Sequence, residues 1–179
     1  MKKIVIASDI HGSAYWCEKL LSFFENAGAE KLVLLGDLLY HGPRNPLPLG
    51  YDTLSVTKQL NAYKEKIVAV RGNCDSEVDQ MVLEFPCLAD YALLPWGERT
   101  LFLTHGHLTL PTLEKNVAVV QGHTHLAGVT TGEQGGQVFN DGSVALPKSG
   151  KPHSCILLED DLLSWIDLET GAVFFTQKL

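Results

Sequence analysis

Five short apolar runs, each ending in an oxygen or imidazole donor, constrain this chain more than any other feature. "KIVIAS" (3–8) is followed by Asp9-Ile10-His11, "KLVLLG" (31–36) by Asp37, and "KIVAVRG" (66–72) by Asn73. "TLFLT" (100–104) leads into His105-Gly106-His107, and "VAVVQG" (117–122) into His123-Thr124-His125. Runs this short and rich in Val, Ile and Leu suit buried strands. In α/β sheets the carboxyl ends of strands form the crevice where ligands bind, and glycine beside the donor lets the backbone approach closely. A single "GD" or "GH" after a strand is ordinary turn chemistry. Five together, with His11, His105, His123 and His125 at strand ends and His107 one step further on, point to a metal site.

Between the first three runs lie helical patterns. Ser13 can cap a helix carrying Trp16, Leu20, Phe23 and Phe24 that closes near Gly28. A second runs from about Leu54 to Lys66, with Val56, Leu60 and Tyr63 on one face. Asp75 can cap a third, with Val78, Met81, Val82 and Phe85 inward. Strand alternating with helix indicates parallel β-α-β units. After about Pro86 the helical patterns stop, and turn signals such as "PWGER", "TTGEQGGQ", "LEDD" and "DLETG" separate short strands. The expected architecture is one domain, 1–179: a mixed α/β sandwich whose parallel half is followed by a more antiparallel one.

The chain carries 14 Lys and Arg against 21 Asp and Glu, a net charge of −7. That argues against general nucleic-acid binding, which needs a basic footprint. An anionic substrate would need local positive charge to overcome the global field. No run approaches the roughly 18 apolar residues of a membrane span, and the N-terminal apolar stretch stops at Asp9, too short for a signal-peptide core. Cys17, Cys74, Cys87 and Cys155 are scattered without a C-x-x-C pair, so they are expected to be reduced and the protein cytoplasmic.

Asp9 and His11 stand two apart, as do His123 and His125, so each pair can point one way along extended chain, although two donors on a turning loop could instead diverge toward neighbouring ions. Seven donors are too many for one tetrahedral ion and suit two, one carboxylate bridging. Nitrogen and oxygen donors fit two divalent metal ions such as manganese, iron, zinc or cobalt rather than a thiolate-loving ion. Two such ions against two carboxylates leave about +2, a pocket for a phosphate.

In this order, "D-x-H", "GD", "GN", "HGH" and "GHTH" resemble the calcineurin-like metallophosphoesterases, and "GDLLYHGPRNPLPLGY…VRGNCDSEVDQM…LTHGHL…GHTH" is similar to the small bacterial phosphodiesterases within them. The motifs span Asp9 to His125. The resemblance implies a four-layer α/β/β/α sandwich of two mixed sheets. It implies one metal on Asp9, His11 and His125, a second on Asn73, His105 and His123, and Asp37 bridging them to hold the hydroxide that attacks phosphorus. Where many relatives have a histidine thought to protonate the leaving oxygen, this chain has Cys74, a poorer proton donor. The thiol is therefore expected to line the pocket, and small diesters with good leaving groups to be preferred. His41 stands where relatives carry a phosphate-gripping arginine, and the adjacent loop offers Arg44 and Asn45. His107 is a further substrate contact or acid. Arg71 is expected to brace its loop or Asp75, and Asp141 replaces a proline of the family's "N-P-G-S" turn without touching a ligand. Two rivals stay open: a phosphomonoesterase or nucleotidase on the same metals, and an inactive scaffold of the same fold. An exposed strand in the C-terminal half could pair subunits into a homo-oligomer.

Overall fold

The computed structural model describes residues 3–114, 116–132 and 136–179. Strands β1 (Lys3–Ala7), β2 (Lys31–Leu34) and β3 (Ile67–Ala69) run parallel, connected through helices α1 (Ala14–Asn26) and α2 (Thr53–Asn61). Ser13 caps α1 as expected, its hydroxyl accepting from the Trp16 N–H. Trp16, Cys17, Leu20, Leu21 and Phe24 recur at helical spacing on one buried stripe. That stripe packs on Val5, Ala7, Leu32, Leu34 and Ala69 of the sheet. Helix α2 is capped by Asp52, whose carboxylate accepts from the Ser55 N–H, and ends five residues before the expected Lys66. Tyr63 leaves helical geometry there, and Lys64–Lys66 form a separate 3-10 turn that feeds β3 at Ile67.

The rest of the chain is α3 (Glu77–Val82), β4 (Tyr91–Trp96), β5 (Arg99–Thr104), β6 (Val117–Gln121), β7 (Gly128–Thr131), β8 (Gln137–Asn140), β9 (Ser154–Glu159), β10 (Leu162–Asp167) and β11 (Val173–Lys178). The third helix departs from expectation. Asp75 does not cap it, because its carboxylate is taken up elsewhere. Asp79 instead accepts from the N–H of Ser76 at 2.7 Å. Val78 and Met81 stand 68% and 82% exposed, and only Phe85, beyond the helix, is buried. Six residues are less than two turns, too short to hold a continuous apolar stripe against the body.

One sheet has the order β11-β10-β9-β1-β2-β3 and the other β4-β5-β6-β8-β7. The antiparallel tail thus returns to the first sheet, with β9 pairing β1 from Lys3↔Glu159 to Ile6↔Ile156. In the second sheet β5, β6 and β8 are parallel and only the edges β4 and β7 antiparallel, so the second half is less antiparallel than its turn spacing indicated. The middle of the "TTGEQGGQ" turn, Glu133 to Gly135, lies outside the described residues. Between the sheets, Ile4, Ile6, Val33 and Leu35 pack with Leu101, Leu103, Val120 and Phe139. Trp165 is fully buried there and donates its indole N–H to the Asn140 carbonyl at 2.7 Å.

Two mixed sheets with helices are the α/β sandwich that the resemblance implied. The layer outside the second sheet is irregular chain rather than helix among the described residues. Leu110, Leu113 and Val117 cover Phe102, Val119 and Val138, beside a groove of about 700 Å³. Trp16, Trp96 and Trp165 are buried, and so are the free thiols Cys17, Cys87 and Cys155.

Candidate metal centre

The carboxyl ends of β1, β2 and β3 meet those of β5 and β6 at one edge of the sandwich. Backbone bonds zip these ends together: the N–H groups of Asp9 and His11 donate to the carbonyls of Gly36 and Asp37, and that of Gly122 donates to His105. The approach is too close for side chains. A Cβ on Gly72 would overlap Asp37, one on Gly36 would overlap the Gly72 backbone, and one on Gly122 would overlap Ser8. These glycines are needed because loops stack, not only because they turn.

The backbone is strained where the donors stand. Among the described residues seven non-glycine positions have left-handed φ, and five of them are Asp9, His11, Asp37, His123 and His125. Such conformations cost about 1–3 kcal/mol each and persist where surrounding structure over-determines them, characteristically at functional sites.

Three imidazoles are locked by their Nδ1 atoms. His11 donates to the Tyr40 carbonyl at 2.8 Å, His105 to Leu35 at 2.7 Å and His125 to Leu146 at 2.5 Å. In each, Nε2 is left facing the interior of the site. His125 Nε2 lies 3.1 Å from Asp9 Oδ1 and 3.5 Å from His11 Nε2, which is itself 3.4 Å from Asp9 Oδ1. On the other side, His105 Nε2 lies 3.1 Å from Asn73 Oδ1 and 3.2 Å from His123 Nδ1. Between the two groups stands Asp37 Oδ2, 3.7 Å from His11 Nε2 and 3.5 Å from His105 Nε2. All seven expected donors therefore come together, in two groups with Asp37 between.

The carboxylates are aimed. Asp9 Oδ2 accepts from Ser8 Oγ at 2.6 Å and from the His123 N–H at 2.9 Å, while its buried Oδ1 has no hydrogen-bond donor of its own. Asp37 Oδ1 accepts from the Cys74 N–H at 2.8 Å, which leaves Oδ2 for the centre. Burial opposes the charge on Asp9, but His11 and His125 beside it outweigh that and hold it far below the carboxylate range. Asp37 is lowered likewise, with burial overcome by His105. For His105, burial favours the neutral ring, yet the nearby Asp37 and Asp9 push it up to about 9. The site attracts positive charge. A cation fits it for a second reason: with both Nδ1 atoms committed, the facing Nε2 atoms of His11 and His125 need a proton or a metal between their lone pairs.

Around the donors the expected neighbours are arranged unevenly. Cys74 Sγ comes within 4.8 Å of donor atoms on His11 and Asp37, and burial with the charge of Asp37 raises its thiol well above the ordinary value. Gly42 packs between Cys74 and Asn45, and Asn45 Nδ2 donates to the His41 carbonyl at 2.9 Å. The His41 ring meets Tyr51 and Tyr40 edge-on, its buried Nδ1 without a hydrogen-bond partner among the described residues. His107 lies with its ring 5.3 Å from that of His105, and burial and the nearby His105 lower its pKa. Arg44 is exposed and no bond ties it to this cluster among the described residues.

Two expectations are corrected. Arg71 pairs with Asp90 at 2.5 Å, not with Asp75. Asp75 instead accepts the N–H groups of Gly72, Asp37 and Leu38 at 2.7, 2.8 and 2.9 Å, pinning the bridging position from below. Asp141, expected to touch no ligand, reaches Asp9 through Ser8. Ser8 and Asp75 carried no signal beyond their place beside a donor motif, since neither faces the centre itself.

Comparison with known proteins places the chain in a family. The calcineurin-like phosphoesterase superfamily domain matches residues 1–161, and the chain belongs to that family. It is similar to the phosphodiesterase YfcE of Escherichia coli K12, 49% identical over 97% of this chain and 96% of the relative. The solved structure of the E. coli YfcE phosphoesterase superposes with a TM-score of 0.92 at 47% identity, covering 98% of each chain. Vacuolar protein sorting 29 from Cryptosporidium parvum, at 17% identity, TM-score 0.65 and 99% and 97% coverage, shares the fold alone.

Proposed function

We propose that the chain is a phosphodiesterase that works with two divalent cations, Mn2+ foremost. Asp9, His11 and His125 would hold one, Asn73, His105 and His123 the other, and Asp37 both. The observation that carries this is the pair of locked imidazoles, His11 and His125, turned lone pair to lone pair against Asp9 Oδ1. When bound, such ions lower the pKa of water toward ~7 and neutralise charge on phosphoryl oxygens. The chain's own residues orient the reaction. Asp9 and Asp37 each spend one oxygen on the protein and present the other, so the donor set is rigid before substrate arrives. His41 and Asn45 stand beside Cys74 on the side where substrate oxygens would be gripped. Cys74, its thiol raised by burial and the charge of Asp37, is neither nucleophile nor strong acid, and burial with the nearby His105 lowers the pKa of His107. Neither Cys74 nor His107 offers a strong acid to a poor leaving group, which favours small diesters with readily departing groups. The similarity to a phosphodiesterase supports the same preference.

Hydrolysis of bis-p-nitrophenyl phosphate beside p-nitrophenyl phosphate tests the reading. Chelator-stripped protein with Mn2+, Zn2+, Mg2+ or nothing restored should cleave only with metal and favour the diester. A faster monoester would replace the diester reading with a phosphomonoesterase. No cleavage under any metal would favour the inactive scaffold.

A further inference from the structure

The buried carboxyl of Asp141 plays no part in the chemistry above. Ser8 Oγ lies 2.6 Å from Asp9 Oδ2 and 2.9 Å from Asp141 Oδ1. A serine hydroxyl has one proton, and ionised carboxylates only accept. Were both aspartates charged, one of these two short oxygen–oxygen contacts would hold no proton. One carboxyl must therefore be an acid. Asp9 is placed to be the anion, accepting from Ser8 and the His123 N–H while facing His11 and His125. Asp141 is placed to be the acid. It is wholly buried, its Oδ2 has no partner, and no lysine or arginine pairs with it among the described residues. The titratable groups around it are Asp9, His105 and the buried thiol of Cys155.

We infer that Asp141 is a neutral carboxylic acid that donates to Ser8 Oγ, so that Ser8 is committed to Asp9 Oδ2 and Asp9 Oδ1 is held toward the metal centre. Burial and the charge of Asp9 both raise Asp141 well above the carboxylate range, in the same sense. Asp141 is thus a positioning residue two hydrogen bonds from the centre. It occupies a turn position where the family pattern has proline, which can supply no such donor. The positioning role rests on Asp9 holding a cation, as proposed above; the proton assignment does not.

The experiment has two readouts. Infrared difference spectra of the unmodified protein against Asp141→Asn should show the C=O stretch of a protonated acid, shifted in D2O and absent from the variant. Loss of a carboxylate band instead would overturn the assignment. Titration of the full chain with Mn2+ should leave Asp141→Asn within about threefold of the parent, because the amide N–H can replace the acid as donor. Asp141→Leu and Ser8→Ala should weaken Mn2+ by roughly 10–100-fold, the size expected for a partner behind a ligand. Unaltered affinity in Ser8→Ala, or equal losses in Asp141→Asn and Asp141→Leu, would overturn the positioning role. Melting curves exclude an unfolded Asp141→Leu, in which case Ser8→Ala and the infrared band decide. A parent that binds no Mn2+ would remove the positioning role together with the metal reading, while the band still reports the proton.

Discussion

At the scale of residues, the centre is held by groups that never face it. Asp75 satisfies three N–H groups, two of them on Asp37 and Leu38, although burial pushes its carboxyl up to about 6. Asp75→Ala should leave those donors buried without acceptors and cost about 2–4 kcal/mol in denaturant unfolding. At Cys74, substitution by histidine should speed cleavage of diesters with poor leaving groups, by about 10-fold or more, as a positioned acid does. An unchanged rate would separate the leaving-group preference from this position. His153 illustrates a residue of structure rather than chemistry. Its ring stacks on Trp16 at 3.6 Å, Nδ1 donates to the Val144 carbonyl, and burial lowers its pKa. The unfolded chain takes up this proton near pH 6.5 while the folded one resists it, so the stability it supports is complete above that pH and lost as pH falls through it. Relative to His153→Phe, the parent should lose unfolding free energy more steeply between pH 7 and 5.

Among the elements, α1 was fully legible and α3 was not. The α1 cap and stripe act locally, so Ser13 and the spacing of Trp16, Leu20 and Phe24 suffice. Near Asp75 a long-range contact captured the carboxylate that would have capped α3, and the helix shifted to Ser76 and shortened. The apolar residues on α3 are consequently solvent-facing. Met81→Lys should change the unfolding free energy by less than about 0.5 kcal/mol, as surface substitutions do. Phe85→Ala, by contrast, removes a buried ring and should cost about 3–5 kcal/mol. Equal effects at the two positions would contradict this packing.

Over the whole molecule, the candidate donors couple two sheets. Asp9, His11, Asp37 and Asn73 follow strands of the first, and His105, His123 and His125 follow strands of the second. A cation held between them would bind only the folded sandwich. Chelation should lower the melting temperature, and Mn2+ at 100-fold its dissociation constant should restore about 2.7 kcal/mol per site. A melting curve indifferent to chelator and to Mn2+ would count against a centre shared by the sheets.

The sequence by itself determined the strands, their donor-bearing ends and the family, because apolar runs, glycines and D-x-H or H-x-H spacings are local patterns that survive any packing. It also determined which seven side chains compose the candidate site. Tertiary structure alone decided that the tail β9–β11 rejoins β1, that β5, β6 and β8 are parallel, and that irregular chain covers the second sheet. It alone brought Asp75 under Asp37 and set Asp141 behind Ser8. Strand partners and buried hydrogen-bond partners are chosen among residues as far apart as Lys3 and Glu159, by which surfaces can exclude water together. No local spacing carries that information.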